Sequence, residues 1–508
     1  GIDVFRVFDS LNWVEAMKPS IQHIDKNTNS IAEAAICYSG DFTSPNEKKF
    51  TLQYYIDLAR QLEDVGAHMI AIKDMAGLLK PYAAEELIPA LKEAVDLPVH
   101  LHTHDTASIQ SATYLKAIEE NVDVIDVANS AFSGLTSQPN FNSIVAMLQN
   151  SKHPCDINLP SLNSFSVYWE AIREIYSPFE TELKAGTAEV YAHEIPGGQY
   201  SNLRPQARGL GLEDQFEKIK ENYKAVNDLL GGLVKVTPSS KVVGDTAMFM
   251  TSNNLTVNDI VEKGESLSFP DSLKSLMRGD LGQTPGGFPS QIQKVVLKDE
   301  EPYSDRPNSF LEPIDFEREL ADLKSKFGPY VNERDLTSYL LYPRVFDDFH
   351  AAFERYGDVS VIPSKQFFYG MEPNEQILVD LDQGKTLLIQ YISKSATDER
   401  GICKVYFSLN GQNRAIEVAD KSVEASVTSR KKVSEDNHVG ASIPGKLSSI
   451  LVKEGDEIEK NAPLYTIEAM KMESTISAPY AGTVGKVWVE KNTVVETDDL
   501  ILELNPSN

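Results

Sequence analysis

The sequence predicts an α/β protein: a partial (β/α)8 TIM barrel with a helical extension, then an α+β region, then an all-β flattened-barrel module. Three observations predict this. Strand-like runs alternate with helical patterns through the first 130 residues. Helical patterns dominate the stretch that follows. One short strand pattern then occurs twice near the end of the chain. The expected boundaries are 1–150 for the barrel part, 151–330 for the helical extension, 331–430 for the α+β region and 438–505 for the all-β module.

The barrel strands are Ile2–Phe8, Ile31–Tyr38, His68–Ile72, Val99–His102 and Val122–Val127. Helical patterns such as Leu52–Ala59, Ala83–Ala94 and Ser111–Glu120 separate them. Buried strands alternating with helices read as a parallel sheet. Regular repetition without a Gly-rich dinucleotide fingerprint favours a barrel over a Rossmann fold. A closed barrel needs eight strands and five are visible, so three units are expected before Gly1.

In such barrels the chemistry sits at the C-terminal ends of the strands. Here those ends are polar: Asp9-Ser10-Leu11-Asn12, Ser39-Gly40-Asp41, Lys73-Asp74 and His102-Thr103-His104-Asp105. A strand alternates faces at about 3.3 Å per residue, so His102 and His104 point the same way roughly 6.5 Å apart. Two imidazoles so placed can share one metal ion. A lone strand-end histidine would instead be a hydrogen-bonded core residue, and His100, deeper in the strand, reads that way. Lys73 could join a metal only if CO2 carbamylates its amine; otherwise it pairs with a neighbour such as Asp74.

Further along, Leu162–Tyr176 and Asp214–Leu230 are helical patterns. Val236-Thr237-Pro238-Ser239-Ser240-Lys241 reads as a loop entering a helix, with Ser or Thr available as N-cap. Ser309–Val359 holds more helix-like segments, Phe367–Leu388 turns to strand character, and Lys404–Leu409 before Asn410-Gly411 reads as a hairpin. The polar, charged Ser422–Asn437 is expected to be a linker.

The last segment is the most informative. Shifting Ile443–Ile467 by 37 positions places it on Tyr480–Leu504, with Gly445 on Gly482, Leu447 on Val484, Val452 on Val489 and Leu464 on Ile501. Each half alternates apolar and polar residues, the period of a half-buried strand. Lys471, in Glu468-Ala469-Met470-Lys471-Met472-Glu473, lies at the junction and is expected on an exposed hairpin tip. A lysine there can carry a covalent group between sites.

Composition narrows the partners. A net charge of −27 argues against nucleic acid or an anionic membrane as the main partner. Three widely spaced cysteines, Cys37, Cys155 and Cys403, argue for a reducing compartment without a disulfide framework. No apolar run approaches the roughly 20 residues of a membrane span.

EAMKM within duplicated strands resembles a biotinyl carrier domain, with Lys471 as the biotin attachment site. Lipoyl domains share that fold but usually carry a different signature around the lysine. FRVFDSLN (Phe5–Asn12), IKDMAG (Ile72–Gly77), HTHDT (His102–Thr106), HEIPGGQYSNL (His193–Leu203), VTPSSK (Val236–Lys241) and GQTPGGFP (Gly282–Pro289) are together similar to the carboxyltransferase half of the pyruvate carboxylase family.

The resemblance implies biotin-dependent, ATP-driven carboxylation of pyruvate to oxaloacetate, with ATP and Mg2+ used only in an upstream part. It implies a divalent Zn2+ or Mn2+ held by carbamylated Lys73, His102 and His104. The family's fourth ligand, an Asp in an RDxxQS motif, is absent here, and its pyruvate-binding arginine belongs to an upstream segment. Thr237 would shuttle a proton between pyruvate and biotin, and Ser240 and Lys241 would line the biotin pocket. The 331–430 region would be a tetramerisation (allosteric) domain.

Further implied partners are biotin protein ligase, acetyl-CoA, and cyclic di-AMP at a dimer interface, with Tyr55 and Tyr82 as stacking residues. The family setting implies a homotetramer in a bacterial cytoplasm. The rival enzyme reading is an oxaloacetate decarboxylase α subunit or a transcarboxylase subunit. The rival of another class is a non-catalytic biotin carrier and assembly fragment.

Overall fold

The computed structural model describes residues 1–181, 183–398, 401–420, 431–435, 437–469 and 472–506. It divides into two units, Gly1–Phe310 with Arg430–Asn508, and Leu311–Ser429.

The first unit opens with a parallel sheet in sequential order: β1 (Val4–Val7), β2 (Ile31–Cys37), β3 (Met69–Asp74), β4 (Val99–Thr103) and β5 (Val124–Ile125). Between them run α1 (Val14–Asn27), α2 (Leu52–Asp64), α3 (Pro81–Ala94) and α4 (Gln110–Glu119). Local chemistry sets each element. Six of seven β2 residues are buried, as a strand covered on both faces requires. Thr51 caps α2 by accepting from the Tyr54 amide, and Tyr55, Leu58, Ala59 and Leu62 form its buried stripe. Pro81 starts α3, where its missing N–H costs nothing.

The fifth strand is shorter than the run Val122–Val127 suggests. The Asp123 and Asp126 amides still donate to Val99 and Leu101 of β4. Past Asp126 the chain turns away, and Ala128 bridges to Asn140.

Helices follow, among them Leu159–Tyr176, Gly197–Gly209, Phe216–Leu229 and Ser239–Ser252. Leu203, Ile219, Tyr223, Val243, Phe249 and Phe269 build an apolar core that continues into the C-terminal β module.

The second unit holds the helices Phe316–Phe327, Glu333–Leu341, Pro343–Tyr356 and Ser364–Tyr369. It also holds an antiparallel meander of β6 (Gln376–Asp382), β7 (Lys385–Lys394), β8 (Ile402–Leu409) and β9 (Gln412–Ala419). Strand character was expected from Phe367. Instead Phe367–Tyr369 close a helical turn between Pro363 and Gly370 (φ +74°), and the strand begins at Gln376. Aromatic β propensity yields here to two local boundary residues. The β8–β9 hairpin turns at Asn410 (φ +48°) and Gly411 (φ +83°), the left-handed pair a tight two-residue turn needs.

The C-terminal module contains β10 (His438–Gly440), β11 (Gly445–Ile450), β12 (Glu457–Ile458), β13 (Pro463–Ala469), β14 (Met472–Ser477), β15 (Gly482–Val487), β16 (Val494–Val495) and β17 (Leu500–Pro506). A shift of 37 residues carries β11, β12 and β13 onto β15, β16 and β17. The two sheets, β10-β17-β15-β12 and β14-β13-β11-β16, exchange the short strands: β12 joins the second repeat and β16 joins the first. Leu447, Leu464, Ile467, Ile501, Leu502 and Leu504 are fully buried between them. Lys471 and most of the expected linker Ser422–Asn437 lie outside the described residues.

Candidate active site at the strand ends

Lys73 and His102 are register partners on neighbouring strands β3 and β4. The His102 and His104 rings stand edge to face with centroids 5.2 Å apart. The structure therefore brings together the three residues expected to hold a metal at the C-terminal edge of the sheet.

Hydrogen bonds fix the histidine tautomers. His102 donates through Nδ1 to Asp126 Oδ2 at 2.8 Å. His104 donates through Nδ1 to the Thr136 carbonyl at 2.6 Å. Each ring thus keeps the Nε2 lone pair for another partner, and buried His102 Nε2 has none within the protein. Burial, with the charges of His102 and Lys73, lowers the His104 pKa to about 4, so that ring is neutral at pH 7. Gly197, which starts the Gly197–Gly209 helix, leaves room for this arrangement: a Cβ there would meet His104 Nδ1 at 2.8 Å and the Thr136 oxygen at 3.2 Å.

Lys73 makes no pair with Asp74. Asp74 is fully buried and accepts from the Leu78 and Leu79 amides and the Thr103 hydroxyl. The Lys73 amine lies 5.2 Å from the Phe8 ring centroid, and burial lowers its pKa. A lowered pKa favours the neutral amine that reacts with CO2. Two imidazoles whose Nδ1 atoms are already engaged and a half-buried lysine able to become a carbamate form a donor set that fits a divalent ion of the zinc type. Among the described residues no group of three or more His, Cys, Asp or Glu is placed to hold a metal ion, so the site here depends on Lys73 as a third donor.

Behind the pair lies a charged layer that sequence reasoning did not assign. Arg6 on β1 binds Glu33 of β2 and Asp126, both at 2.8 Å. His100 bridges Glu33 (2.5 Å) and Asp126 (3.0 Å). Burial opposes the Asp126 charge, but His100, His102 and Arg6 outweigh it and hold that carboxyl well below the usual range. Asp126 is thus the residue that orients His102. Its only sequence signal is its position at the end of an apolar run, where barrel chemistry collects.

Thr237, Ser240 and Lys241 gather at the start of the Ser239–Ser252 helix. Ser239 provides the local anchoring there: its hydroxyl accepts from the Val236 amide and reaches the Val234, Val236 and Ser10 carbonyls. The Ser10 contact ties this turn to the loop after β1. Thr237 is exposed and makes no cap hydrogen bond, so its hydroxyl is available for chemistry. Ser240 is buried, and Lys241 donates to Asp245 at 2.5 Å. A cavity of about 630 Å³ opens beside Thr136, with Arg173, Glu180 and Lys184 in its wall.

One expectation needs correction. Tyr55 is fully buried, stacks on Tyr38 at 5.1 Å, and exchanges hydrogen bonds with Ser39, so it has no face for a ligand. It is the first member of the α2 core stripe, and packing claims it. Tyr82 is exposed.

Comparison with known proteins places these observations in a family setting. Residues 6–166 match an HMGL-like family, 190–390 a conserved carboxylase domain, and 437–504 the biotin-requiring enzyme family. Pyruvate carboxylase of Bacillus subtilis is 47% identical over 506 residues, covering 99% of this chain and 44% of the relative. That of Staphylococcus aureus is 44% identical over 509 residues, with the same coverage. The chain therefore spans under half the length of these curated relatives. The carboxyl transferase domain from Rhizobium etli pyruvate carboxylase, solved with pyruvate and biocytin, is 49% identical with a TM-score of 0.79. That match covers 83% of this chain and 71% of the solved one.

Proposed function

The chain belongs to the pyruvate carboxylase family, and from that premise we propose that it transfers a carboxyl group from biotin to pyruvate, giving oxaloacetate. The carrying observation is the His102–His104 pair, whose Nε2 atoms are left open by Asp126 and Thr136. Lys471 would bear the biotin. His102, His104 and carbamylated Lys73 would hold the divalent metal, Zn2+ or Mn2+. When bound, biotin supplies a transferable carboxyl group on its ureido nitrogen, and the metal supplies a Lewis acid for the pyruvate carbonyl oxygen.

The chain's own residues do the rest. Asp126 and Thr136 keep both imidazoles oriented. The Thr237 hydroxyl accepts a proton from the pyruvate methyl group and passes one to the ureido group. Bound biotin would supply the carboxyl group, its carbon–nitrogen bond breaking as the bond to the methyl carbon forms. A hydroxyl suits this task because it gives and receives a proton without holding a charge. Ser240 and Lys241 would line the place where the ureido group sits.

We place ATP-dependent loading of biotin in the longer protein that the relatives represent, and attachment of biotin with a biotin protein ligase. Three free thiols, two of them buried, support a reducing compartment such as the cytoplasm. Phe349, Phe353 and Tyr356, exposed at helical spacing on Pro343–Tyr356, support assembly through the second unit, with a homotetramer as the expected product.

The test is a coupled assay of the full-length enzyme for oxaloacetate made from pyruvate, bicarbonate and ATP. Lys471→Ala and Thr237→Ala should each abolish turnover. A protein that decarboxylates oxaloacetate but never forms it with ATP belongs instead with the decarboxylases or transcarboxylases.

A further inference from the structure

We propose that Asp271 is the docking residue for the carrier module and that Asp245 is the positioning residue that transmits its seating to Lys241. This rests on the reading of Lys241 as part of the biotin pocket.

A line of hydrogen bonds connects the two places. Thr475 lies on β14, four residues after Lys471 in sequence. Its hydroxyl donates to Asp271 Oδ2 at 2.7 Å and lies 3.2 Å from the hydroxyl of Thr466, its cross-strand partner on β13. Asp271 opens the Asp271–Arg278 helix, and its other oxygen lies 3.4 Å from Lys274. The next residue, Ser272, donates to Asp245 Oδ2 at 2.8 Å. That same oxygen accepts the Lys241 amine, one helical turn before Asp245 and four residues after Thr237.

Asp245 is 1% exposed, and its Oδ1 has no protein partner. A buried carboxylate depends on every donor it has. Here one oxygen divides its attraction between a neutral hydroxyl and a cation. With Ser272 in place, Lys241 is not the sole partner of that charge, and its amine can turn toward an arriving carbonyl or carboxylate. If the Asp271–Arg278 helix moves as the carrier leaves, Asp245 loses the hydroxyl and holds Lys241 more tightly. Seating the carrier therefore releases Lys241 for use, and an empty dock withdraws it.

The experiment measures two rates in the full-length enzyme, biotinylated for the first and without its own biotin for the second. One is pyruvate carboxylation through the enzyme's own carrier. The other is oxaloacetate decarboxylation with added biocytin as the carboxyl acceptor, measured in a Lys471→Ala background. Asp271→Ala and Thr475→Val should each lower the ratio of the first rate to the second by about tenfold, the loss of one charge-assisted hydrogen bond. The double variant should fall no further than either single one. Damage to the fold would lower both rates and leave the ratio alone. Asp245→Asn, which loosens the hold on Lys241, should lower the KM for biocytin with little change in kcat, and Asp245→Glu should restore part of that hold and return the KM toward its original value. An unchanged ratio in Asp271→Ala and Thr475→Val, or an unchanged biocytin KM in Asp245→Asn, overturns the inference while the functional reading stands. A parent enzyme that performs neither reaction overturns both.

Discussion

At the residue scale, the site is a case of orientation by hydrogen bond. His102 and His104 share the parity of one strand, but a free nitrogen on each ring depends on what holds the other nitrogen. Asp126 and Thr136, from different segments, hold them. Asp126→Asn removes the charge that anchors His102, His100 and Arg6 together. Metal content after dialysis should fall, with affinity about 10–100-fold weaker, the usual cost of losing such a partner. His193 gives a separate test. Its Nδ1 accepts from the Ile195 amide at 3.0 Å, and burial lowers its pKa to about 4. Between pH 6.5 and 4 the unfolded chain binds a proton that the folded chain refuses, so stability falls as pH falls through that window. The contribution is about 3 kcal/mol at most. His193→Gln should flatten that part of a stability–pH curve measured by urea unfolding; an unchanged slope would remove His193 as its cause.

At the scale of elements, the duplicated strands state their own pairing. Leu464 and Ile501 occupy equivalent places 37 residues apart, and both are fully buried. Leu464→Ala and Ile501→Ala should each cost about 2–5 kcal/mol, read from thermal unfolding of the C-terminal module. Comparable losses would confirm that the repeats bear the same load. The exchange of β12 and β16 between sheets was not legible, because the repeat pattern gives strand faces and not strand neighbours. Likewise Phe367–Tyr369 looked like strand by residue type, and the flanking Pro363 and Gly370 made it a turn of helix. The strands β2, β3 and β4 were read closely because both faces are buried, and unbroken apolar runs survive any detail of packing.

At the scale of the whole molecule, the excess of acidic residues dominates. A net charge of −27 places self-repulsion on the folded chain. Raising NaCl from about 10 to 150 mM shortens the Debye length from about 30 to 8 Å. The melting temperature should therefore rise by about 1 °C, as expected for a gain of about 1 kcal/mol in a chain of this size. A fall would mean that exposed ion pairs outweigh the repulsion.

Periodicity and duplication alone determined the parallel α/β sheet, the β module and the position of Lys471 in sequence, since these depend on spacing along the chain. Strand-end position alone also singled out His102 and His104, and the family resemblance added Lys73. Only the tertiary structure decided which ring nitrogens are free, that Tyr55 belongs to the core, and that Arg6, Glu33, His100 and Asp126 form one charged layer. Those features join residues from as many as four strands and loops. A hydrogen bond between residues 120 apart, as from Arg6 to Asp126, leaves no periodic trace in either segment.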